Sequence, residues 1–172
     1  MPIETLFKIN GNAVLGWTSA SLVVTFLASF LIWAMFFGLI ILWIVDGKIK
    51  KAQALHAFLA SLISWTTAQM IKSIFPSIRP FLVNGENPMT ITIPSDAAFP
   101  SGHAAFAFAL AVTIYLHNKK LGIIYILGAV LVCLGRVWAN VHYPIDVLGG
   151  AILGIAVSLV VEKLHLYSFF KK

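Results

Sequence analysis

The chain has 172 residues, 60% of them hydrophobic and 10% charged, with a mean hydropathy of +0.94 and a formal charge of +6. A soluble domain carries roughly 25% charged residues, so the composition excludes that class and indicates an integral membrane protein. The single Cys133 lies in an apolar run, which leaves no disulfide framework and no cysteine metal cluster.

Residues 1–21 mix Phe7, Ile9, Leu15 and Trp17 with Asn, Gly, Thr and Ser, and read as an amphipathic segment lying in the membrane interface. No basic run precedes a short apolar core there, so a cleaved signal peptide is not expected. Residues 22–45 are long enough to span the roughly 30 Å hydrocarbon layer. After the charged loop 46–51, a more polar span is expected over 52–71, its Ser and Thr facing other helices. From Lys72 to Pro100 proline and glycine take over, and a loop outside the hydrocarbon is expected. Further spans are read over 103–116, 121–138 and 145–164, joined by the basic turn 117–120 and the polar stretch 135–146. The expectation is an all-α polytopic bundle of about five transmembrane helices, in one membrane-embedded domain over 1–172 with an interfacial N-terminal segment.

The charges then sort by side. Lys48, Lys50, Lys51, Lys119, Lys120, Lys163, Lys171 and Lys172 share one face, which the positive-inside rule makes cytoplasmic. This distribution reads as membrane topology, and no nucleic-acid partner is expected. Lys72, Arg79 and Arg136 fall at the opposite, external face, together with His103, His142 and Asp146. Ionisable groups at a membrane edge cost several kcal/mol unless they pair or line a wet cavity, which marks them as a candidate site.

The residue types suggest the chemistry. Arginine offers a planar fork that matches phosphate oxygens, and lysine a point charge. Pro100-Ser101-Gly102-His103 runs into an apolar helix, whose N-terminus presents free backbone N–H groups to an anion. An anion with several oxygens, most simply a phosphate, fits such a pocket. Two histidines beside it suggest a division of labour in which His142, supported by Asp146, attacks phosphorus and His103 protonates the leaving oxygen.

Lys72-x6-Arg79-Pro80, Pro100-Ser101-Gly102-His103 and Arg136-x5-His142-x3-Asp146 together resemble the type 2 phosphatidic acid phosphatase superfamily, which includes bacterial membrane lipid phosphatases. The resemblance implies a phosphohistidine on His142, acid catalysis by His103, and a phosphate cradle of Lys72, Arg79, Ser101, Gly102 and Arg136. It implies no metal and no cofactor. Small bacterial members acting on undecaprenyl pyrophosphate, phosphatidylglycerophosphate or the 1-phosphate of lipid A are the most similar subgroups, and the substrate stays open among them. The third motif usually opens with Ser, where this chain has Gly135.

Blander readings stand beside these. Asp96 and Glu86 read as solvated loop residues, and His56, His117 and His165 as interfacial rather than catalytic. Gly150 and Gly154 read as a small-xxx-small packing pair. The competing function is a membrane transporter or binding protein for an anion or lipid, using the same cationic cluster; a divalent metal would be repelled by the three cations. Topology is directly testable. A cysteine at position 85 should react with an impermeant thiol reagent outside the cell and one at 119 should not; the reverse would place the polar face in the cytoplasm.

Overall fold

The computed structural model describes residues 19–44 and 51–164, and no strand occurs among them. The chain runs through α1 (Ser19–Thr25), a π-helical turn (Phe26–Phe30), α2 (Leu31–Ile44), α3 (Lys51–Ile74), α4 (Pro80–Asn84), α5 (Gly102–His117), α6 (Lys119–Trp138) and α7 (Pro144–Lys163). The expected interfacial segment lies outside the described residues except for its last three, which already belong to α1. Most of the 46–51 loop, His165 and the lysine tail also lie outside them.

Four helical stretches are long and apolar enough to cross a membrane: Ser21–Ile41, Gln53–Ile74, Lys119–Trp138 and Pro144–Lys163. The fifth expected span, α5, has 16 residues. At 1.5 Å per residue that is about 24 Å, short of the roughly 30 Å hydrocarbon layer. It is shielded from lipid instead, packing against α3, α6 and α7. Its alanines make this possible: Ala104, Ala105, Ala107, Ala109 and Ala111 are all fully buried. Small side chains let helix backbones approach, which is the main source of packing energy where lipid is as apolar as the helices. Gly150 and Gly154 of α7 take part as expected. A Cβ on either would stand 2.4 Å from a carbonyl oxygen of the α5 chain, Ser101 and Ala105 respectively. The outer faces carry Trp33, Phe37, Ile124, Leu127, Ile152 and Leu159, all at least half exposed, as a lipid-facing surface requires.

Three boundaries differ from the sequence expectation. Helix α3 continues to Ile74, so Lys72 sits on its last turn and not in the loop. The loop itself contains α4, opened by Pro80 at its first helical position, where a missing N–H is harmless. The basic turn 117–120 shrinks to Asn118. Its N–H bonds Ile114 O at 2.7 Å, and its side chain caps α6 by accepting from Leu121 N at 3.2 Å. Gly85 adopts φ 72°, so the exposed neighbour Glu86 is the less strained place for a labelling cysteine.

The departure at Gly135 has a steric cause. A Cβ there would lie 2.7 Å from Ala28 N and from Leu27 C and Cβ, in the π-helical turn that α6 packs against. Gly135→Ser should therefore destabilise the bundle. The better helix propensity of serine recovers about 0.5 kcal/mol, whereas overpacking costs about 1–3 kcal/mol. A lower thermal unfolding midpoint in detergent is expected, and an unchanged one would mean that α6 has room to move away.

Candidate active site

All eight residues singled out by the sequence gather at one end of the bundle, carried by the α3–α5 and α6–α7 connections and the helix ends they join. Lys72 ends α3. Arg79 precedes Pro80, which disfavours helical backbone before it, and Arg79 is accordingly extended at ψ 150°. Ser101 caps α5, accepting from Ala104 N at 3.5 Å, with Gly102 and His103 in the first turn. Arg136 lies on the last turn of α6. Asn140, at φ 61°, then turns the chain in the left-handed conformation that Asn tolerates. His142 follows in the connection, and Asp146 stands in the first turn of α7. Ser101 N donates to Asp146 O at 2.9 Å, so the N-termini of α5 and α7 lie side by side. Two positive helix ends thus border the same space.

Arg79, 2% exposed, is almost saturated by protein acceptors. Its Nε donates to Asp96 O at 2.8 Å and its Nη2 to Asp96 Oδ1 at 2.7 Å and Ala97 O at 3.2 Å. Its Nη1 donates to Val141 O at 2.8 Å and stands 3.4 Å from His142 Nε2. A guanidinium can only donate, so His142 Nε2 faces it with its lone pair, which puts the ring proton on Nδ1. That Nδ1 lies 3.6 Å from Asp146 Oδ2, an oxygen that also accepts from Tyr143 N at 2.8 Å. The expected pairing of His142 with Asp146 is present at ion-pair range, slightly longer than a hydrogen bond.

Asp96 was expected to be solvated and its side chain is 42% exposed, but it also pairs with the cluster. Its two oxygens bridge Lys72 Nζ at 2.6 Å and Arg79 Nη2 at 2.7 Å. Lys72 Nζ also donates to Ala97 O at 2.8 Å, leaving one N–H. The open fork at this end is consequently not that of Arg79 but that of Arg136. Its Nη1 donates to Ala28 O at 3.1 Å, while its buried Nε has no hydrogen-bond partner among the described residues. Counting charge alone could have found Asp96. Three nearly buried cations need anions, and Glu86, Asp96 and Asp146 are the carboxylates available there. Glu86 is exposed, as expected.

His103 lies within electrostatic range of Arg136, His142, Lys72 and Arg79. It also lines a cavity of about 240 Å³ between α2, α3 and α5, with Trp33, Phe36, Leu62, Trp65 and Phe106. One imidazole therefore borders both the cationic cluster and an apolar groove.

The two loop groups respond to this setting in opposite ways. Burial pushes the Asp96 carboxyl up, but Lys72 and Arg79 outweigh it and hold it below the usual range. Burial lowers His142 to about 4, helped by Arg136, Arg79 and Lys72 and opposed by Asp146. An unfolded imidazole takes its proton near 6.5, whereas the fold refuses it until about pH 4, so stability should fall as pH drops through that window. The Asp96 contribution is full above about 3.8 and is lost below it. Thermal midpoints measured from pH 7 to 3 should show both declines. His142→Gln should flatten the upper one and Asp96→Asn the lower. Profiles parallel to wild type would mean that neither group is held as the structure places it.

The PAP2 superfamily model matches residues 52–170, from the start of α3 to beyond α7. The bacitracin transport permease protein BcrC of Bacillus licheniformis is 30% identical over 81% of this chain and 68% of its own length. Undecaprenyl-diphosphatase BcrC of Bacillus subtilis (strain 168) is 25% identical over 80% of this chain and 71% of its own length. The crystal structure of Aquifex aeolicus LpxE is similar with a TM-score of 0.70 and 27% identity, covering 87% of this chain and 89% of that one. The three motifs, the helical bundle and these likenesses agree: the chain belongs to the PAP2 superfamily, as a multi-pass membrane lipid phosphatase.

Proposed function

We propose that the chain hydrolyses the diphosphate head group of an undecaprenyl diphosphate-like lipid at the external face of a bacterial cytoplasmic membrane, through a phosphohistidine on His142 and without a metal. The observation that carries the mechanism is the lodging of His142, with Nε2 facing Arg79 and Nδ1 facing Asp146. The ring is neutral near pH 7 with its Nε2 lone pair turned toward Arg79 in the cationic cluster, where a phosphoryl group would meet it. The relative named as an undecaprenyl-diphosphatase supports the choice of head group. Phosphatidylglycerophosphate, phosphatidate and lipid A 1-phosphate are the remaining candidates.

In this reading the open side of Arg136, the last N–H of Lys72, the Nη1 of Arg79, the Ser101 hydroxyl and the Gly102 N–H bind the terminal phosphoryl oxygens. His142 Nε2 forms the N–P bond as the bridging P–O bond breaks. His103 gives its proton to the leaving oxygen, so the lipid departs as a monophosphate. A water then attacks phosphorus, loses its proton to His103 and breaks the N–P bond, releasing inorganic phosphate and restoring both imidazoles. Asp146 stabilises the charged ring during both steps. The apolar groove beside His103 lets a lipid tail stay among hydrocarbon while its head group reaches the cluster. The external placement rests on Lys119, Lys120 and Lys163 at the opposite end.

A transport role, suggested by the name of the B. licheniformis relative, is disfavoured by the core. Between the two ends the bundle is filled by Ala57, Ala60, Ala107 and Leu110, each fully buried, and an ion crossing there would shed its water without replacement. Phosphate release in detergent from undecaprenyl diphosphate and the three alternative lipids is the deciding measurement. It should persist in EDTA, fall with orthovanadate, and drop below a few per cent of wild type in His142→Ala. Substantial turnover by that variant would remove His142 as nucleophile, and loss in EDTA from protein that stays folded would remove the metal-free mechanism.

A further inference from the structure

The end of the bundle away from the candidate active site holds a second polar cluster, built from the same three helices. His56 lies near the start of α3, His117 is the last residue of α5, and Glu162 stands in the last turn of α7. Sixteen residues separate His56 from Lys72 and Asp146 from Glu162, or about 24 Å of helix. His56 is fully buried, while the side chains of His117 and Glu162 keep 14% and 34% exposure. From the sequence these histidines read as separate interfacial residues; the fold brings them together.

One donor atom from each residue falls within 4.8 Å of the other two. Glu162 Oε2 is 3.2 Å from His56 Nδ1 and 3.8 Å from His117 Nε2, and the two rings are 5.8 Å apart. That oxygen is buried yet accepts no hydrogen bond among the described residues. Both imidazoles thus stand at ion-pair range around that one oxygen. Metal–ligand bonds of 2.0–2.1 Å in a tetrahedron set neighbouring donors about 3.3 Å apart, and the two distances to Oε2 lie close to that value. Two imidazoles and a carboxylate are the donor set of a borderline-soft transition ion. Glu162 brings a carboxylate to the cluster, which attracts a divalent cation here. The three cations of the other end oppose it there. The side chain of Glu162, 34% exposed, supplies an entry path from solvent.

We propose that His56, His117 and Glu162 form a binding site for a divalent transition-metal ion, with zinc as the best chemical fit. An ion held by α3, α5 and α7 ties together the helices that also carry Lys72, His103, His142 and Asp146, so its role is to hold the bundle and not to take part in phosphoryl transfer. The inference does not depend on the proposed substrate.

The test is zinc binding by protein purified in detergent, stripped with EDTA, desalted and equilibrated with micromolar zinc. One zinc per chain should be retained, with an unfolding midpoint several degrees higher than that of the stripped protein. His117→Ala and the isosteric Glu162→Gln should each weaken binding at least tenfold, with metal-free midpoints near that of stripped wild type. Glu162→Gln keeps the test decisive if His117→Ala fails to fold. His142→Ala should bind zinc as wild type does. No retained zinc, equal retention by the two cluster variants, or selective loss in His142→Ala would each overturn the proposal.

Discussion

Everything at the polar end depends on how three cations are kept out of water. Lys72, Arg79 and Arg136 are all at most 7% exposed, and an unpaired buried charge costs several kcal/mol even after relaxation. Asp96 answers for two of them with one carboxylate, and the carbonyls of Ala97, Val141 and Ala28 take up most of the remaining donors. The arrangement leaves only a few directed N–H groups, and these face His142 or the open side of Arg136. A cluster with all its donors free would need far more solvent, and a fully satisfied one would offer a phosphate nothing.

That economy is possible only because the helices under it approach so closely. The alanines of α5 and the glycines of α7 bring the two N-terminal turns side by side, and the bond from Ser101 N to Asp146 O locks them. A larger residue at Gly150 would press on the Ser101 carbonyl itself, so the packing of the bundle and the geometry of the site are one constraint. The same holds at Gly135, whose missing side chain lets α6 reach the π-helical turn and lets Arg136 bond Ala28 O. π-helical turns are frequent at functional sites because they re-aim a few backbone groups, and here the turn receives a guanidinium.

The groove beside His103 gives this end its relation to the membrane. It lies between α2, α3 and α5 and is walled by aromatic and aliphatic side chains, while its polar wall is an imidazole of the cluster. A molecule with an anionic head and an apolar tail meets both environments without leaving the bilayer edge. This matches the lipid phosphatase family to which the chain belongs.

Much of this was legible in the sequence. Apolar runs of spanning length declared the helices, the lysine distribution declared two sides, and the three motifs named eight residues that do converge. The span read over 145–164 already placed His142 before a helix and Asp146 in its first turn. What the sequence left open are the relations that need several chain segments at once. Asp96 looked like one more loop carboxylate because its partners, Lys72 and Arg79, lie 24 and 17 residues away. Gly135 looked like a lost hydroxyl because the backbone it packs on is more than a hundred residues earlier. His56, His117 and Glu162 looked unrelated because three helices must close before they meet. Local propensity and hydrophobic pattern act over a few turns of chain, so they determined the elements. Pairing of buried charge and close backbone contact act across space, so only the tertiary structure decided them.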